Sequence, residues 1–235
     1  MPDLPFPSPS FSWYSLTMLL AIVLSAGYWI KHSRTDPQLP LIYLFGLGCA
    51  FLGAKVAYMI SEGWLHTGDD RWLHWLAGKS VTGALIGGFL GVEICKKHLG
   101  YRQITGDRFA LIVPIALILG RLGCLSQGCC QGKTLHLGAT PIPWPAVQVE
   151  IGFNLIALAV FYILRKKNQF TCQHFHLYLI AYGTFRFAHE FLRATPKPFG
   201  YFSGYQLISW LMIILGIVAY KRRSQQLGTT HHPQL

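Results

Sequence analysis

Charged residues, and acids above all, are scarce in this sequence. Of its 235 residues only 12% are charged and 9 are Asp or Glu, whereas 52% are hydrophobic. Ordinary soluble domains carry roughly 25% charged residues. The composition therefore excludes a typical water-soluble globule. The sequence also lacks any polar connection between apolar segments that is long enough to form a separate domain.

The basic residues give a formal net charge of +11, yet they form no cluster of the kind that binds nucleic acid. A basic binding face needs Lys and Arg gathered on an exposed domain. Here they stand in short stretches between apolar segments. We therefore expect no nucleic-acid partner.

The 6 cysteines lack the paired C-x₂-C spacing of zinc sites. Cys124, Cys129 and Cys130 lie close together in sequence, and a disulfide between two of them is an alternative if they lie outside the cytoplasm. Cys49, Cys95 and Cys172 read as plain buried or loop thiols. The sequence thus predicts no functional metal.

Seven apolar stretches of about the length of a bilayer span are present in the chain. They run over residues 13–31, 40–61, 80–95, 109–126, 146–164, 174–192 and 204–220. This pattern predicts an all-α polytopic membrane protein with one transmembrane domain over residues 1–235. Residues 62–79, which contain three tryptophans, are expected to lie in the membrane interface.

Basic residues divide unequally between the two sides of these spans. One side carries twelve, at 31, 34, 96, 97, 102, 108, 165, 166, 167, 221, 222 and 223, and the other carries five, at 71, 79, 133, 193 and 197. The positive-inside rule then places the N-terminus outside and the C-terminus in the cytoplasm. No Lys or Arg precedes the first span, unlike a secretory signal, so that span is expected to be retained.

Three cations, Lys55, Arg121 and Arg186, lie within the predicted spans, all in the outer half. A cation at membrane depth costs at least ~2.5–3.5 kcal/mol unless it is compensated. Other polar side chains stand at the outer ends of the spans: Tyr14, Thr82, Glu150 and Glu190. Separate helices thus place polar groups at one depth, which predicts a site facing the outer leaflet.

Two interpretations of these residues are open. They can tie helices together, with Arg186 and Glu190 as an i, i+4 ion pair. Alternatively the surplus of cations binds an anion, and the arginine fork matches phosphate best. At this depth the commonest such anion is a phospholipid head group.

A glycine-rich run over residues 120–134, GRLGCLSQGCCQGKT, follows Arg121. Its glycines favour irregular backbone whose N–H groups approach a ligand closely. Such backbone is tolerated at membrane depth only when it is buried in protein or lines a polar cavity.

This run resembles the signature of the prolipoprotein diacylglyceryl transferases, an Arg-bearing G-R-x-G followed by a glycine-rich turn. Three further motifs match that family in order. Trp13-Tyr14 resembles its W-Y opening, residues 80–87 resemble S-F-H-G-G-L-I-G, and residues 182–193 resemble Y-G-x-x-R-x-x-x-E-F-x-R. The resemblance covers nearly the whole chain.

The resemblance implies transfer of the diacylglyceryl group of phosphatidylglycerol to the lipobox cysteine of a prolipoprotein, in the bacterial cytoplasmic membrane and without a cofactor. It implies catalytic roles for Arg121, Arg186 and Tyr182. Head-group or substrate-binding roles follow for Tyr14, Lys55, Thr82, Gly83, Gly132, Glu150 and Glu190.

The chain departs from the family pattern at three places. Thr82 stands where well-known members have His, and a hydroxyl is not a useful base near neutral pH. Lys55 stands for the family's basic residue in the second span, and residues 145–150, PAVQVE, lose the tyrosine of P-x-Q-L-Y-E. His189 is a candidate replacement base, although a packed histidine is the better interpretation. A relative with another acceptor and a non-catalytic lipid-binding protein are therefore alternatives.

Overall fold

A computed structural model describes residues 13–33, 36–69, 71–130, 132–137 and 140–230. Helices dominate these residues. They are α1 (Trp13–Ser33), α2 (Leu39–Ser61), α3 (Arg71–Ala77), α4 (Val81–His98), α5 (Gly106–Ser126), α6 (Ala146–Lys166), α7 (His174–His189) and α8 (Gly204–Thr230). Short 3₁₀ turns follow α2 and α7, at Gly63–Leu65 and Glu190–Leu192.

The apolar helices confirm an all-α polytopic membrane protein. Five of them, α1, α2, α5, α6 and α8, are long and apolar enough to cross a bilayer, and α3 with α4 would be a sixth span bent by 53°. At 16 residues, α7 is roughly 24 Å long, and the 3₁₀ turn after it brings the segment to roughly 30 Å. The count of seven spans and the orientation of the bundle stay predictions.

One small β-hairpin departs from the predicted all-helical chain. Strands β1 (Thr134–Leu137) and β2 (Thr140–Pro143) pair antiparallel, with Thr134 opposite Pro143. The strands are short and largely exposed, so the hairpin is a surface feature between α5 and α6.

Small residues let α2 and α4 pack with their backbones almost touching. A Cβ on Gly53 would lie 2.5 Å from the carbonyl oxygen of Gly83, and one on Gly87 would lie 2.3 Å from that of Cys49. Ser80 caps α4 by accepting a hydrogen bond from the Gly83 N–H, at 3.3 Å. This close helix pair is typical of membrane proteins, where small residues replace a hydrophobic driving force.

The core lies among α4, α5, α6, α7 and α8. Its fully buried side chains include Tyr178, Leu179, Tyr182 and Met212, with partly buried aromatic residues around them. Phe153 stacks on Phe185 with ring centroids 4.3 Å apart. These contacts fix α6 and α7 side by side and so set the positions of the polar residues at their ends.

Polar contacts mark the two ends of the bundle. At one end, Asp107 accepts hydrogen bonds from the backbone N–H groups of Cys172, at 2.7 Å, and His174, at 3.1 Å. At the opposite end, the Tyr205 hydroxyl at the start of α8 donates to Glu62 after α2, at 2.7 Å. The ends of α2, α5 and α7 and the starts of α4, α6 and α8 therefore share one end of the bundle.

Candidate functional site

Glu150, in the first turns of α6, is the centre of a buried ionic cluster at this end. Its Oε1 lies 2.9 Å from Nε of Arg121, and its Oε2 lies 3.6 Å from Nη1 of Arg186. The Tyr182 hydroxyl donates a hydrogen bond to Oε1, at 2.6 Å. Glu150 has no exposed surface. One carboxylate thus joins α5, α6 and α7.

Glu190 is the second carboxylate of this cluster and lies in the 3₁₀ turn after α7. Arg186 donates from Nη2 to its Oε2, at 3.1 Å, as the i, i+4 spacing predicts. Nε of Arg193 lies 3.5 Å from the same oxygen. The hydroxyls of Thr195 and Ser203 donate to Oε1. Both carboxylate oxygens of Glu190 therefore have partners within the protein, as expected for a residue that ties helices together.

Positive charge exceeds negative charge in this cluster. Three guanidinium groups, of Arg121, Arg186 and Arg193, face two carboxylates, and all five side chains are buried. Within the part of the chain that the structure describes, Nε and Nη1 of Arg186 and of Arg193 form no hydrogen bond, although Arg186 Nη1 and Arg193 Nε lie 3.6 and 3.5 Å from a carboxylate oxygen. A buried cation with unused donors is costly. The arrangement is suited to an anion that accepts several hydrogen bonds.

Hydrogen bonds among polar side chains of α6 and α7 support Glu150 on the side of the helical core. Asn154, one turn along α6, donates to the Glu150 carbonyl at 2.9 Å and accepts from the Tyr178 hydroxyl at 2.8 Å. Tyr178 stacks on Tyr182, with centroids 5.7 Å apart. Because the Tyr182 proton is used on Glu150, its oxygen can act towards a ligand only as an acceptor.

Gly132 lies beside the cluster, where the glycine-rich segment closes over Arg193. It forms a β-bridge with Arg193, and the next residue, Lys133, donates its N–H to the Leu192 carbonyl at 2.8 Å. A Cβ on Gly132 would lie 2.4 Å from the Trp144 carbonyl oxygen. Only glycine fits there without a shift of backbone. The segment therefore seals one side of the arginine cluster.

Lys55 lies at the same end of the bundle, but its contacts are different. Its ammonium group donates to the carbonyls of Trp75, at 2.7 Å, of Leu76 and of Gly78, at 3.0 Å. These carbonyls end α3, where a helix leaves its last acceptors unpaired. Lys55 thus holds α3 against α2, while a role in head-group binding stays a prediction.

Thr82 and Gly83 lie at the start of α4, and Gly83 faces α2. Thr82 is buried and its hydroxyl is 2.9 Å from Oγ of Ser80. A Cβ on Gly83 would lie 2.3 Å from Cβ of Ala57. Thr82 thus forms its hydrogen bond within the cap of α4, and Gly83 packs on α2. The side chain of Tyr14 lies outside the described residues.

His189 is packed, and one of its two ring nitrogens accepts a hydrogen bond. Its Nε2 accepts a hydrogen bond from the indole N–H of Trp144, at 3.1 Å, and its ring stacks on Phe185. A nitrogen whose lone pair already accepts a hydrogen bond is not free to take a proton from a thiol. The geometry therefore favours the interpretation of His189 as a packing residue.

Arg193 is the site residue that sequence reasoning missed. Its place beyond the sixth span put it among the loop cations, yet it is only 8% exposed and pairs with Glu190. The signal was the spacing Glu190-Phe-Leu-Arg193, which returns the guanidinium to the carboxylate after one turn.

The three cysteines of the glycine-rich segment converge next to Arg121. Nη1 of Arg121 lies 3.9 Å from Sγ of Cys124. A hydrogen bond from Cys124, aided by the charges of Arg121 and Arg193, lowers the pKa of the Cys130 thiol below its usual value. Cys130 has a φ of 62°, which is uncommon for a residue other than glycine.

Comparison with known proteins places these motifs in one family. A family model described as prolipoprotein diacylglyceryl transferase matches residues 4–222. The chain is similar to a protein of Vibrio parahaemolyticus named phosphatidylglycerol–prolipoprotein diacylglyceryl transferase, with 29% identity over 91% of this chain and 88% of that protein.

Two further relatives carry the same enzyme name. One, from Mannheimia succiniciproducens, is 27% identical over 92% of this chain and 91% of its own length. Another, from Clostridium perfringens and numbered 2, is 31% identical over 72% of each chain. The matched residues include the whole ionic cluster, and the chain belongs to the prolipoprotein diacylglyceryl transferase family.

Proposed function

We propose that this protein transfers the diacylglyceryl group of phosphatidylglycerol to the lipobox cysteine of a prolipoprotein, in the bacterial cytoplasmic membrane. The observation that carries this proposal is the set of unused N–H donors on buried Arg186 and Arg193. A phosphodiester offers the negative charge and the acceptor oxygens that these groups need. Family membership supports the substrate pair.

The reaction is a displacement at carbon. The sulfur of the acceptor cysteine forms a bond to the terminal glyceryl carbon, and the bond between that carbon and the phosphate oxygen breaks. The electron pair leaves with the oxygen, so glycerol phosphate is released, and the thiol proton is lost to a base or to the phosphate. The site must therefore stabilise charge on the leaving phosphate.

Arg121 and Arg186 suit this role because Glu150 holds both of them from one side. The carboxylate fixes the two guanidinium planes before substrate arrives, so little reorganisation is needed in the transition state. Tyr182 is a positioning residue in this scheme, because its proton anchors Glu150 at 2.6 Å. Glu190 holds Arg186 and Arg193 in the same way.

Neither of the two residues considered as a base for the acceptor thiol is suited to that role. Thr82 is bonded to Ser80 and His189 accepts from Trp144, so neither offers a free lone pair of suitable basicity. We infer that the thiol proton passes to the phosphate oxygen or to water. The absence of histidine at 82 also favours a second candidate function, transfer to a different acceptor at the same lipid site.

One assay tests the proposal. Purified protein is given phosphatidylglycerol and a lipobox peptide, and glycerol phosphate release is measured together with the mass of the peptide. We expect release that depends on the peptide, with one diacylglyceryl group added at its cysteine. A peptide with serine in place of that cysteine is the control. Release without the cysteine would favour another acceptor, and no release with any phospholipid would contradict transfer.

A further inference from the structure

The thiols of Cys124, Cys129 and Cys130 form a cluster that the proposed transfer does not use. Their three Sγ atoms all lie within 4.8 Å of one another. Cys124 is in the last turn of α5, and the chain folds back after it through Gly128 and Cys130, each with a φ of 62°. The N–H of Cys129 donates to the Cys124 carbonyl, at 3.2 Å.

These separations fit a shared metal ion. Thiolate ligands bound at roughly 2.3 Å to one trigonal or tetrahedral centre lie about 4 Å apart. The three side chains approach this arrangement. The spacing C-x₄-C-C lacks the C-x₂-C pair of zinc ribbons, but the reversal at Cys130 brings the third thiol back to the first two.

Cationic side chains lie beside these thiols. Arg121 reaches within 3.9 Å of Cys124 Sγ, and the neighbouring ionic cluster carries one more guanidinium than carboxylates. Thiolates are the form that binds metals, and adjacent cations stabilise them. Cys129 is exposed, which gives an ion a path to the site.

We propose that Cys124, Cys129 and Cys130 bind one thiophilic d¹⁰ metal ion, Zn(II) or Cu(I), through three thiolates. Soft sulfur ligands select ions of this class. Binding releases the thiol protons to solvent. The ion fastens the end of α5 to the segment that carries Gly132, beside Arg121.

Metal titration of the full-length protein tests this proposal. Reduced, chelator-stripped protein competes for Zn(II), or in a separate arm for Cu(I), against a coloured chelator of known affinity. We expect one ion per chain, and the preferred arm identifies the ion. Replacing any one of the three cysteines with serine lowers the affinity at least ~10-fold. Cys172→Ser, after α6 and at the opposite end of the bundle, is the matched control and leaves the affinity unchanged.

Thiol counting gives a second readout that does not need the variants to fold. In metal-loaded wild-type protein we expect three cysteines to be protected from alkylation, and a chelator to expose them again. The proposal is overturned by the lack of saturable binding, or by equal binding in the triple serine variant. It is also overturned if alkylation of fresh membranes finds two of the three thiols joined in a disulfide. None of these readouts depends on transfer activity.

Discussion

At one end of the bundle, a lysine and a cluster of three arginines differ in how their N–H donors are paired. The ammonium of Lys55 donates to three backbone carbonyls at the end of α3. The guanidinium groups of Arg121, Arg186 and Arg193 share two carboxylates, and several of their N–H groups have no acceptor among the described residues. The lysine is satisfied by its own protein, whereas the arginines are not.

This difference indicates where a ligand acts. A cation whose donors are all engaged contributes to structure, since a ligand would first have to break those hydrogen bonds. A buried cluster with surplus positive charge and unused donors gains free energy when an anion binds. The four predictions below separate the two groups, from the largest expected effect to the smallest.

Loss of the central carboxylate should be the most damaging change. Glu150→Gln keeps the size of the side chain but leaves Arg121 without its carboxylate partner and Arg186 with Glu190 alone. Breaking a buried pair in this way costs roughly 3–5 kcal/mol. We expect a large fall in Tm, measured by thermal unfolding in detergent. A Tm equal to that of wild type would show that the arginines do not depend on Glu150.

Exchange of arginine for lysine tests the fork. Arg121→Lys and Arg186→Lys keep the charge but lose bidentate geometry, so we expect glycerol phosphate release to fall at least ~10²-fold. Arg165→Lys is the matched control, because Arg165 is exposed at the far end of α6. Full activity in the site variants, with Tm retained, would show that charge alone is sufficient.

Lys55 supports α3 through its hydrogen bonds, so its removal should affect stability first. Lys55→Met keeps the aliphatic stem and removes the donors to the carbonyls of α3. We expect a loss of about 1.5 kcal/mol, the low end of the range for hydrogen bonds from a charged group, because Lys55 is only half-buried. The check is the Tm, set against the KM for phosphatidylglycerol. A raised KM at unchanged Tm would instead support the head-group role that the sequence predicts.

Thr82→Val is expected to have the smallest effect. It removes the hydroxyl that bonds to Ser80 and keeps the branched shape. The net loss of a neutral hydrogen bond is about 1 kcal/mol or less. Because the hydroxyl is not a base near neutral pH, the pH dependence of the rate should keep its shape. A change in that shape would show that Thr82 takes part in proton transfer.

The ionic cluster was largely predictable from sequence, because alternating spans fix depth. Arg121 lies near the end of the fourth predicted span, Glu150 near the start of the fifth and Arg186 near the end of the sixth. Consecutive spans run in opposite directions, so the three residues are predicted to lie at the same end of the bundle. Apolar length set the helix bounds to within a few residues at nearly every boundary. The structure confirms that these three residues meet.

Other features depend on tertiary contacts that no local pattern carries. The carbonyl partners of Lys55 are about twenty residues away in α3, and nothing in the sequence marks them. The hairpin of β1 and β2 contains two prolines and is largely exposed, so it lacks the alternation that predicts strands. The sequence predicts a loop at Arg193. Its burial depends on the pairing with the glycine-rich segment at Gly132, and no local pattern marks that contact.

The central claim is that the unused arginine donors bind the lipid phosphate, and equilibrium binding tests it most directly. Wild-type, Arg186→Lys and Arg165→Lys proteins are titrated with short-chain phosphatidylglycerol and with the matching diacylglycerol, which lacks the phosphate. Hydrogen bonds to charged groups contribute roughly 1.5–3 kcal/mol, which is about 10–100-fold in Kd. We expect Arg186→Lys to reduce the preference for phosphatidylglycerol by this factor and Arg165→Lys to leave it unchanged. An undiminished preference in Arg186→Lys would contradict it.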